Sequence, residues 1–331
     1  MTAIQKYNSN EIINVEYFSD TTIDEFIASR KASENTNRTY RNSIRQLMKF
    51  FAAKKITAPT TADLDAFINQ LREAKKSPST LRLYNTCTKL FFSWLERRGL
   101  YKNIAADAEP LRLRKATMHA KKSLTTAQAK NLLSAVKGDS LIARRDRAIV
   151  ALALQTGLRT CEISRLNYCN LRDDGVGGFF AAVTGKGHLT ADAEVRIAPA
   201  VADMIRSYLE LRGVVGADEP LFTSTSRNVA WTKPTKKRKA NSYGNRLSEQ
   251  SVGKLIKRYM KASGIKDKKI TAHSTRHFAA TTAIKAGVDI REVSAMLRHT
   301  SINVTVVYLH DMSVETRRAE LAVADSLFSA A

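Results

Sequence analysis

The chain has 331 residues, and its 54 lysine and arginine side chains outnumber its 31 aspartate and glutamate side chains, which gives a formal net charge of +23. Hydrophobic residues make up 44% of the chain, enough apolar surface for a large folded core, so disorder throughout is excluded. At about 150 residues per domain, the length predicts two domains. So large an excess of positive charge repels itself unless a polyanion is close, and it therefore predicts a nucleic-acid partner.

Membrane and disulfide-rich classes are excluded by the same sequence. The longest apolar run, residues 148–154, is far short of the ~20 residues that span a bilayer, and the first twenty residues lack the apolar stretch of a signal peptide. The three cysteines are odd in number and show no CxxC spacing. These features predict a soluble cytoplasmic protein with no disulfide framework and no structural zinc site.

Four amphipathic helices are predicted in the first part of the chain, over residues 19–31, 35–53, 62–75 and 78–99. In the second of them, Tyr40, Ile44 and Leu47 recur at helical spacing on one apolar stripe. The fourth begins near a proline, which suits a first turn, and stops at a glycine, which suits the position after a last turn. We predict a compact helical domain over residues 18–105, preceded by an N-terminal extension of residues 1–17.

Residues 106–122 lose this periodicity and are interpreted as a basic linker between the domains. Pro110 interrupts the chain, and no acidic residue follows it within the linker. Two interpretations of the stretch are open at this point, a flexible solvated connector or a segment that lies against an anion. The positive charge of the whole chain favours the anion.

The second domain, residues 123–312, is predicted to be mainly helical with a small antiparallel sheet. Thr125 and Gln128 have capping-box spacing before an apolar-striped helix. The glycine-rich stretch 170–199 predicts a hairpin that turns at the GKG string. Further helices are predicted over residues 144–155, 159–166 and 199–212, and after the polar basic loop 223–247. The predicted fold class is mainly α, with a helical first domain and an α+β second domain.

Four short strings in the second domain contain chemically useful residues: TGLRTCEI at 156–163, TGKG at 184–187, HSTRH at 273–277 and LRHTSINVTVVYLH at 297–310. Each string by itself favours an ordinary structural interpretation. An arginine after a helix break is usually an ion-pair residue, and a GKG turn is usually only a turn. Histidines near helix ends are usually caps, and a tyrosine in an apolar run usually belongs to the core. It is their combination that indicates function.

Together the strings supply the groups that phosphodiester chemistry needs. Arg159 and Arg276 are candidates to hold the two non-bridging oxygens of one phosphate through their planar, always-charged forks. Lys186, on the predicted hairpin, is a candidate to protonate a leaving 5′ oxygen. His273 lies three residues before Arg276, on the same helix face, and is a candidate to handle the proton of a nucleophile.

The last string provides the nucleophile. Tyr308 is a candidate to attack phosphorus and to store the bond energy as a phosphotyrosine ester, and His299 is a candidate to donate a hydrogen bond to the phosphate. No pair of carboxylates is placed to hold magnesium. The arginines are therefore expected to meet the transition-state charge, and neither a metal nor another cofactor is predicted.

In these strings and their spacing, the chain resembles the tyrosine recombinases, also called phage integrases. The resemblance covers the second domain as far as Tyr308, and the first domain is similar to that family's core-binding domain. It implies two domains that close around duplex DNA as a C, with a monomer in solution and a homotetramer on inverted-repeat core sites in the synaptic complex. The site that it implies consists of the nucleophile Tyr308, the catalytic residues Arg159, Lys186, His273, Arg276 and His299, and the supporting acid Glu162.

Two positions depart from the pattern of that family. Arg298 precedes His299 where the family commonly has glycine, which either adds a phosphate contact or reshapes the turn. After the GKG turn, residues 188–192 lack the basic side chains that often continue the family's motif. This second departure bears on the length of the hairpin and on how Lys186 is presented. His277, beside a motif position, is assigned either a structural role or a role in supporting the catalytic residues.

Three other classes compete with a recombinase. A type IB topoisomerase shares the phosphotyrosine chemistry, but the helical first domain and the chain beyond Tyr308 favour recombination because they offer DNA specificity and subunit contacts. A non-enzymatic DNA binder, such as a repressor or a decayed recombinase, would not need every pocket position filled. A metal-dependent nuclease built on His273, His277 and His299 lacks carboxylate ligands. The sequence therefore favours a site-specific DNA recombinase that integrates, excises or resolves.

The remaining predictions concern DNA contact and assembly. Because about twenty residues precede the first helix, a simple recombinase without an arm-type domain is expected, of the sort that resolves dimers or moves phage, integron-like or transposon elements. Residues 313–331 are predicted to form a tail helix that contacts a neighbouring subunit, with packing on its own domain an equal alternative from periodicity alone. The candidates for DNA contact, most of them expected to touch phosphate, are Arg41, Arg45, Arg82, Lys89, Arg112, Arg114, Lys121, Lys122, Lys236, Lys237, Arg238, Lys239, Arg246, Lys254, Lys257 and Arg258.

Overall fold

The computed structural model describes residues 18–108, 111, 122–185, 190–213, 215–225 and 244–308. The chain divides into two compact units, Met1–Lys115 and Ala116–Ala331. Several residues singled out by the sequence lie outside the described residues: Arg112, Arg114, Lys121, Lys186, Lys236, Lys237, Arg238, Lys239 and the tail 313–331. What the sequence predicts for them stays a prediction.

The first unit contains the four helices that the apolar stripes predict. They are α1 (Asp20–Ala28), α2 (Glu34–Ala53), α3 (Thr61–Glu73) and α4 (Pro78–Arg97). Ser19, Ser33 and Ser77 each accept a hydrogen bond from the backbone N–H three residues further on, which satisfies an otherwise unpaired donor of the first turn. After α4, Gly99 takes a positive φ of 67°, which lets the chain leave the helix.

An aromatic core stabilises the first unit. The fully buried ring of Phe91 meets that of Phe26 edge-on with centroids 5.3 Å apart, and it stacks on Trp94 at 6.2 Å. The hydroxyl group of the buried Tyr101 donates to the carbonyl oxygen of Pro59 at 2.7 Å. Aromatic pairs of this kind stabilise a core beyond the area that they bury.

The second unit combines eight α-helices with one sheet in the described residues. The predicted capping box is present at its start: the hydroxyl of Thr125 accepts from the N–H of Gln128 at 3.1 Å, and the side-chain oxygen of Gln128 accepts from the N–H of Thr125 at 3.0 Å. The helices are α5 (Thr126–Ser134), α6 (Leu141–Thr156), α7 (Thr160–Arg165), α8 (Pro199–Arg212), α9 (Glu249–Ala262), α10 (Ser274–Lys285), α11 (Ile290–Leu297) and α12 (Asn303–Val306).

The sheet is antiparallel and has the strand order β1–β2–β3, with β1 at Leu171–Asp173, β2 at Phe179–Val183 and β3 at Ala193–Ile197. β2 and β3 form the predicted hairpin, whose register places Phe179 opposite Ile197. The sequence does not single out β1, because three residues are too few to show an alternating pattern. It pairs with β2.

Helix α6 is the central helix of the second unit. Residues 148–153 are buried on every side, and the helix packs against α5, α8, α9, α10 and β3. Near its start, the fully buried carboxylate of Asp146 accepts hydrogen bonds from Arg145, Arg258 and Tyr259. Neither α6 nor any other helix within the described residues is long and apolar enough to cross a membrane. The carboxyl end of α6 is where the candidate site begins.

Candidate active site

The break in the chain between α6 and α7 forms one wall of the site. Gly157 ends α6 in the left-handed conformation, with a φ of 62°. A Cβ at this position would lie 3.0 Å from Cδ2 of Leu297 and 3.2 Å from Cβ of Ala279, so α10 and α11 approach the backbone closely here. Glycine is needed both for its conformation and for this approach. Its carbonyl oxygen accepts a hydrogen bond from Nη1 of Arg276 at 2.9 Å.

Arg159 and Glu162 form a capping pair at the start of α7. The backbone N–H of Arg159 donates to Oε2 of Glu162 at 2.7 Å, and its Nη1 donates to Oε1 at 2.6 Å. Burial acts to raise the pKa of Glu162, but the charge of Arg298 and the hydrogen bonds from both arginines hold that pKa below its ordinary value. The side chain of Arg159 is 29% exposed and that of Glu162 is fully buried. A buried carboxylate therefore orients an arginine that remains accessible.

Arg276, in the first turn of α10, is a buried arginine with 1% of its surface exposed. Its guanidinium donates to the carbonyl oxygens of Gly157 and Leu297, at the ends of α6 and α11. Burial, followed by the charge of Arg159, lowers the pKa of Arg276 to about 10. The group is still charged at neutral pH, and the two carbonyl groups fix the direction of its remaining N–H groups.

His299 follows the end of α11, and a buried threonine holds its ring. Nδ1 of His299 lies 2.7 Å from Oγ1 of Thr305, a residue with no solvent exposure. Burial is the main cause that lowers the pKa of His299 to about 4, so the imidazole is neutral at pH 7. The charges of Arg276, Arg159 and Arg298, in that order, act in the same direction. These side chains therefore surround one pocket.

Tyr308 lies in the same pocket, just after α12, and is 2% exposed. Its ring stacks on that of His299 with centroids 6.2 Å apart and planes within 2° of parallel. The ring of His277 meets it edge-on at 5.1 Å, and the ring of His273 lies 5.1 Å from that of His277. Tyr308 is also close enough to act electrostatically on Arg276. The structure thus brings the candidate nucleophile together with the histidines and arginines of the other strings.

Two residues of this pocket make contacts that the sequence does not predict. Thr305 is given no role in the sequence-based prediction. Its hydroxyl lies three residues before Tyr308, and residues at that spacing share one side of a helical turn. This spacing is the signal that could have identified Thr305. The sequence gives His277 a structural or supporting role, and its contact with Tyr308 follows from its position next to Arg276 on α10.

The hairpin on which the sequence predicts Lys186 is described only at its base, since Lys186 itself lies outside the described residues. The N–H of Gly185 donates to Oδ1 of Asp192 at 2.6 Å, and its carbonyl oxygen accepts from Nη1 of Arg165 at 2.7 Å. Arg165 is the last residue of α7, which begins beside Arg159. The base of the hairpin is therefore attached to the helix that presents Arg159.

Most candidates for DNA contact in the described residues lie on the surface. Exposed side chains belong to Arg82, Lys89, Lys254 and Lys257. Ion pairs within the chain join Arg41 to Asp24, Arg45 to Asp20, Lys122 to Asp267 and Arg258 to Asp146. The first three pairs are exposed and therefore weak, which leaves their basic members available to a phosphate.

Arg246 has a competing structural contact. Its Nη1 donates to the carbonyl oxygens of Ser164 at 2.9 Å and Leu166 at 3.2 Å, and its Nη2 donates to the side-chain oxygen of Asn167. Burial lowers the pKa of Arg246. The side chain binds carbonyl groups at the end of α7, a role that sequence periodicity does not show.

The described pocket surrounds a phenol with positive charge and hydrogen-bond donors. Arg159 and Arg276 carry fixed charge, and His299 is a neutral imidazole. Fixed donors of this kind stabilise the charge that develops on a phosphate during transfer. In the described part of the chain, no group of three or more His, Cys, Asp or Glu side chains is arranged to hold a metal ion.

Solved structures share this fold. The XerH site-specific recombinase, in a post-cleavage complex with a palindromic difH substrate, matches with a TM-score of 0.66 and 17% identity, over 93% of this chain and 84% of that one. A lambda integrase tetramer bound to a Holliday junction matches with a TM-score of 0.65 and 17% identity, over 91% of this chain and 78% of that one. The fold is therefore the one found in site-specific recombinases.

Sequence comparison establishes the family. Residues 122–314 match the phage integrase family, and residues 21–101 match the SAM-like N-terminal domain of phage integrases. The tyrosine recombinase XerA of Thermococcus kodakarensis is 30% identical over 257 residues, which cover 77% of this chain and 78% of that protein. XerA of Pyrococcus furiosus is 29% identical over 282 residues, 83% of each chain. The chain belongs to the phage integrase family and is a site-specific tyrosine recombinase, which confirms the resemblance seen in its motifs.

Proposed function

We propose that this recombinase cuts and rejoins the strands of duplex DNA through a 3′-phosphotyrosine formed by Tyr308. One observation carries the proposal: the ring of Tyr308 shares a pocket with the buried charge of Arg276 and with the neutral imidazole of His299. A phenol in such a pocket is suited to attack a phosphate, because fixed cations stabilise the charge that develops on the phosphate oxygens.

The cleavage step balances without a cofactor. The phenolic oxygen of Tyr308 attacks the scissile phosphorus, and the bond from phosphorus to the 5′ oxygen of the departing strand breaks. His273 accepts the phenolic proton, and Lys186 protonates the 5′ oxygen. A 5′ hydroxyl of another strand then attacks the phosphotyrosine, Lys186 takes the proton of that hydroxyl, and His273 returns a proton to the departing phenol. Because the ester conserves the bond energy, rejoining needs no external energy source.

Three side chains are assigned to the phosphate. Arg159 is partly exposed and oriented by Glu162, and Arg276 is fixed by two backbone carbonyl groups, so each is able to present a fork to a non-bridging oxygen. His299 acts as a neutral donor. When the hydroxyl of Thr305 donates to Nδ1, the imidazole proton is on Nε2, where it is available to the phosphate.

The burial of Tyr308 requires a conformational step before attack. Only 2% of the residue is exposed, so a phosphate reaches the phenol after the pocket opens. We assign this opening to α12, which has four residues and connects His299 to Tyr308. So short a helix is marginal on its own, and a small change in its surroundings is able to move it.

The assembly that we propose contains four chains and two duplexes. Each duplex would carry a core site with inverted repeats of about one helical turn beside a short spacer. The lambda integrase tetramer on a Holliday junction supports this arrangement. The tail 313–331 is proposed to contact a neighbouring subunit, and the free chain is proposed to be a cytoplasmic monomer that binds one half-site.

Strand exchange is expected to continue in EDTA, because arginines are proposed to meet the transition-state charge that metal ions meet in other phosphoryl-transfer enzymes. The measurement uses a nicked suicide duplex that carries the core site, and covalent complex is scored on a denaturing gel. Binding in the same buffers is expected to weaken with salt, with a log–log slope of about 0.9 per neutralised phosphate.

Two results would contradict the proposed function. Cleavage that disappears in EDTA and returns with magnesium would point to a metal-dependent nuclease. Relaxation of supercoiled DNA by single chains, with no exchange between two core sites, would point to a topoisomerase. The inverted repeats that define the test substrate are sought in the DNA that flanks the gene.

Thr305→Val is expected to slow cleavage by about tenfold, the effect of leaving one buried polar atom without its partner. Valine keeps the shape of the buried side chain but removes the hydroxyl 2.7 Å from Nδ1 of His299. The rate is measured in a single turnover on the nicked duplex. Thr88→Val, at a buried threonine of α4, is the matched control. A Thr305→Val enzyme as fast as the control would show that the hydroxyl does not orient His299.

A further inference from the structure

Arg298 occupies a backbone conformation that usually belongs to glycine. It follows α11 with φ 55° and ψ 50°, the left-handed region in which a Cβ is crowded. Among the described residues, the other non-glycine residues with positive φ are Lys55 and Lys75, and both are exposed. The side chain of Arg298 is only 8% exposed. A strained backbone conformation that is retained at a residue with a buried side chain indicates that this side chain has a functional role.

The side chain of Arg298 reaches a carboxylate 136 residues earlier in the chain. Its Nη2 donates to Oε2 of Glu162 at 2.7 Å, and its Nη1 donates to the carbonyl oxygen of Met296 at 2.8 Å. The same Oε2 accepts the backbone N–H of Arg159, while Oε1 accepts its guanidinium. One buried carboxylate is therefore shared between an arginine of α7 and an arginine that follows α11.

This sharing changes the charge of the pocket. Without Arg298, Glu162 and Arg159 would form a neutral pair, and the carboxylate would offset the charge that Arg159 offers to a phosphate. With Arg298, the three groups carry a net charge of +1, because two guanidiniums face one carboxylate. A carboxylate held from two sides also has fewer orientations open to it.

We propose that Arg298 is a positioning residue of this active site, which holds Glu162 so that Arg159 is aimed at the scissile phosphate and keeps its effective charge. The inference rests on the proposed function. The competing role is direct contact with the phosphate, since Nε of Arg298 is buried and has no hydrogen-bond partner among the described residues. The two roles predict different behaviour when Glu162 is also changed.

A double-mutant cycle on the full chain separates these roles. Arg298→Gly suits the positive φ, so folding is expected to be retained. It is expected to slow single-turnover cleavage by about 10- to 100-fold, as a misaimed Arg159 would, with little change in DNA affinity. Glu162→Gln is expected to slow cleavage by a larger factor, because it leaves Arg298 buried without its counterion. When Arg298→Gly is added to Glu162→Gln, the cleavage rate is expected to fall no further or to recover in part.

The pH profile of cleavage distinguishes positioning from a purely structural role. The charged and titratable groups that act on Glu162 are Arg159, Arg276 and Arg298, and the charge of Glu162 in turn raises the pKa of Cys161. Arg298 holds the pKa of Glu162 down, so its removal raises that pKa, and Glu162 takes up its proton at a higher pH. The acidic limb of the profile of Arg298→Gly should therefore move to higher pH. Arg298 also lowers the pKa of His299, so the part of the shift that persists in Glu162→Gln belongs to His299.

Arg291→Ala is the matched control, because it removes one positive charge from an exposed position on α11 and should leave the rate and the profile unchanged. Arg298→Lys should recover part of the rate, since it restores the charge but not the fork. The inference would be overturned if the double variant lost rate by the product of the two single factors of Arg298→Gly and Glu162→Gln. It would also be overturned if Arg298→Gly had the cleavage rate and the pH profile of the parental chain. If the parental chain forms no covalent complex at all, the proposed function fails instead.

Discussion

Tyr308→Phe is expected to reduce covalent complex with DNA to background while DNA binding is retained. The change removes only the phenolic oxygen, and the phenyl ring keeps its packing against His277 and His299. The nucleophile is lost without creating a cavity or changing the charge, so only the cleavage step should be affected and not DNA binding. A nicked suicide duplex on a denaturing gel measures the adduct, and a native gel shift on the same duplex measures binding.

Tyr208→Phe is the matched control for this experiment. Tyr208 is fully buried in the same unit, and its hydroxyl lies 3.2 Å from Oγ1 of Thr223. The hydroxyl also accepts from the N–H of Thr223 at 3.4 Å. Its loss is therefore expected to lower the free energy of unfolding by about 1–3 kcal/mol, the cost of leaving buried polar groups without a partner, without affecting adduct formation. An adduct that still forms in Tyr308→Phe would show that the nucleophile has been misassigned.

Arg276→Lys is expected to slow cleavage by about 10²- to 10³-fold, the loss seen when one fixed donor to a transition-state charge is removed. Arg276 bridges the carbonyl groups of Gly157 and Leu297, and a single ammonium group cannot reproduce that planar bridge. Burial already lowers the pKa of Arg276 to about 10, and the same surroundings would favour loss of the proton from a lysine. Single-turnover cleavage across pH 6–9 measures both effects.

Arg212→Lys is the control for lost backbone contacts. Arg212 is 11% exposed, and its Nη1 donates to the carbonyl oxygens of Pro220 and Leu221, away from the pocket. It should lose stability much as Arg276→Lys does and yet cleave at close to the parental rate. Equal cleavage by Arg276→Lys and Arg212→Lys would assign Arg276 to structure alone.

Much of the fold is predictable because local rules determine it. A serine before each of α1, α2 and α4, and the capping box of Thr125 and Gln128, define where these helices begin, since side-chain oxygens there satisfy unpaired N–H groups. Apolar stripes define the faces that are buried. Strand β1 escapes prediction because its three residues pair with β2 by backbone hydrogen bonds, which no side-chain pattern records.

The pocket is predictable in its membership but not in its internal contacts. Arg159, Arg276, His299 and Tyr308 come from three separate strings, and the structure places them together. Glu162 is expected as a supporting acid, whereas the contacts that Thr305 and Arg298 make in the pocket are not predicted. The pair of Arg298 and Glu162 joins residues 136 positions apart, and periodicity carries no information on which side chains meet across a fold.

The most direct test of the account is the identity of the residue that becomes joined to DNA. The adduct trapped on the nicked duplex is digested with trypsin and nuclease, and the modified peptide is sequenced by mass spectrometry. Cleavage after Arg298 and Arg317 yields residues 299–317, in which Tyr308 is the sole tyrosine. We predict that this peptide carries a 3′-phosphonucleotide on Tyr308. A nucleotide on any other residue, or cleaved DNA with free ends and no attached peptide, would contradict the account.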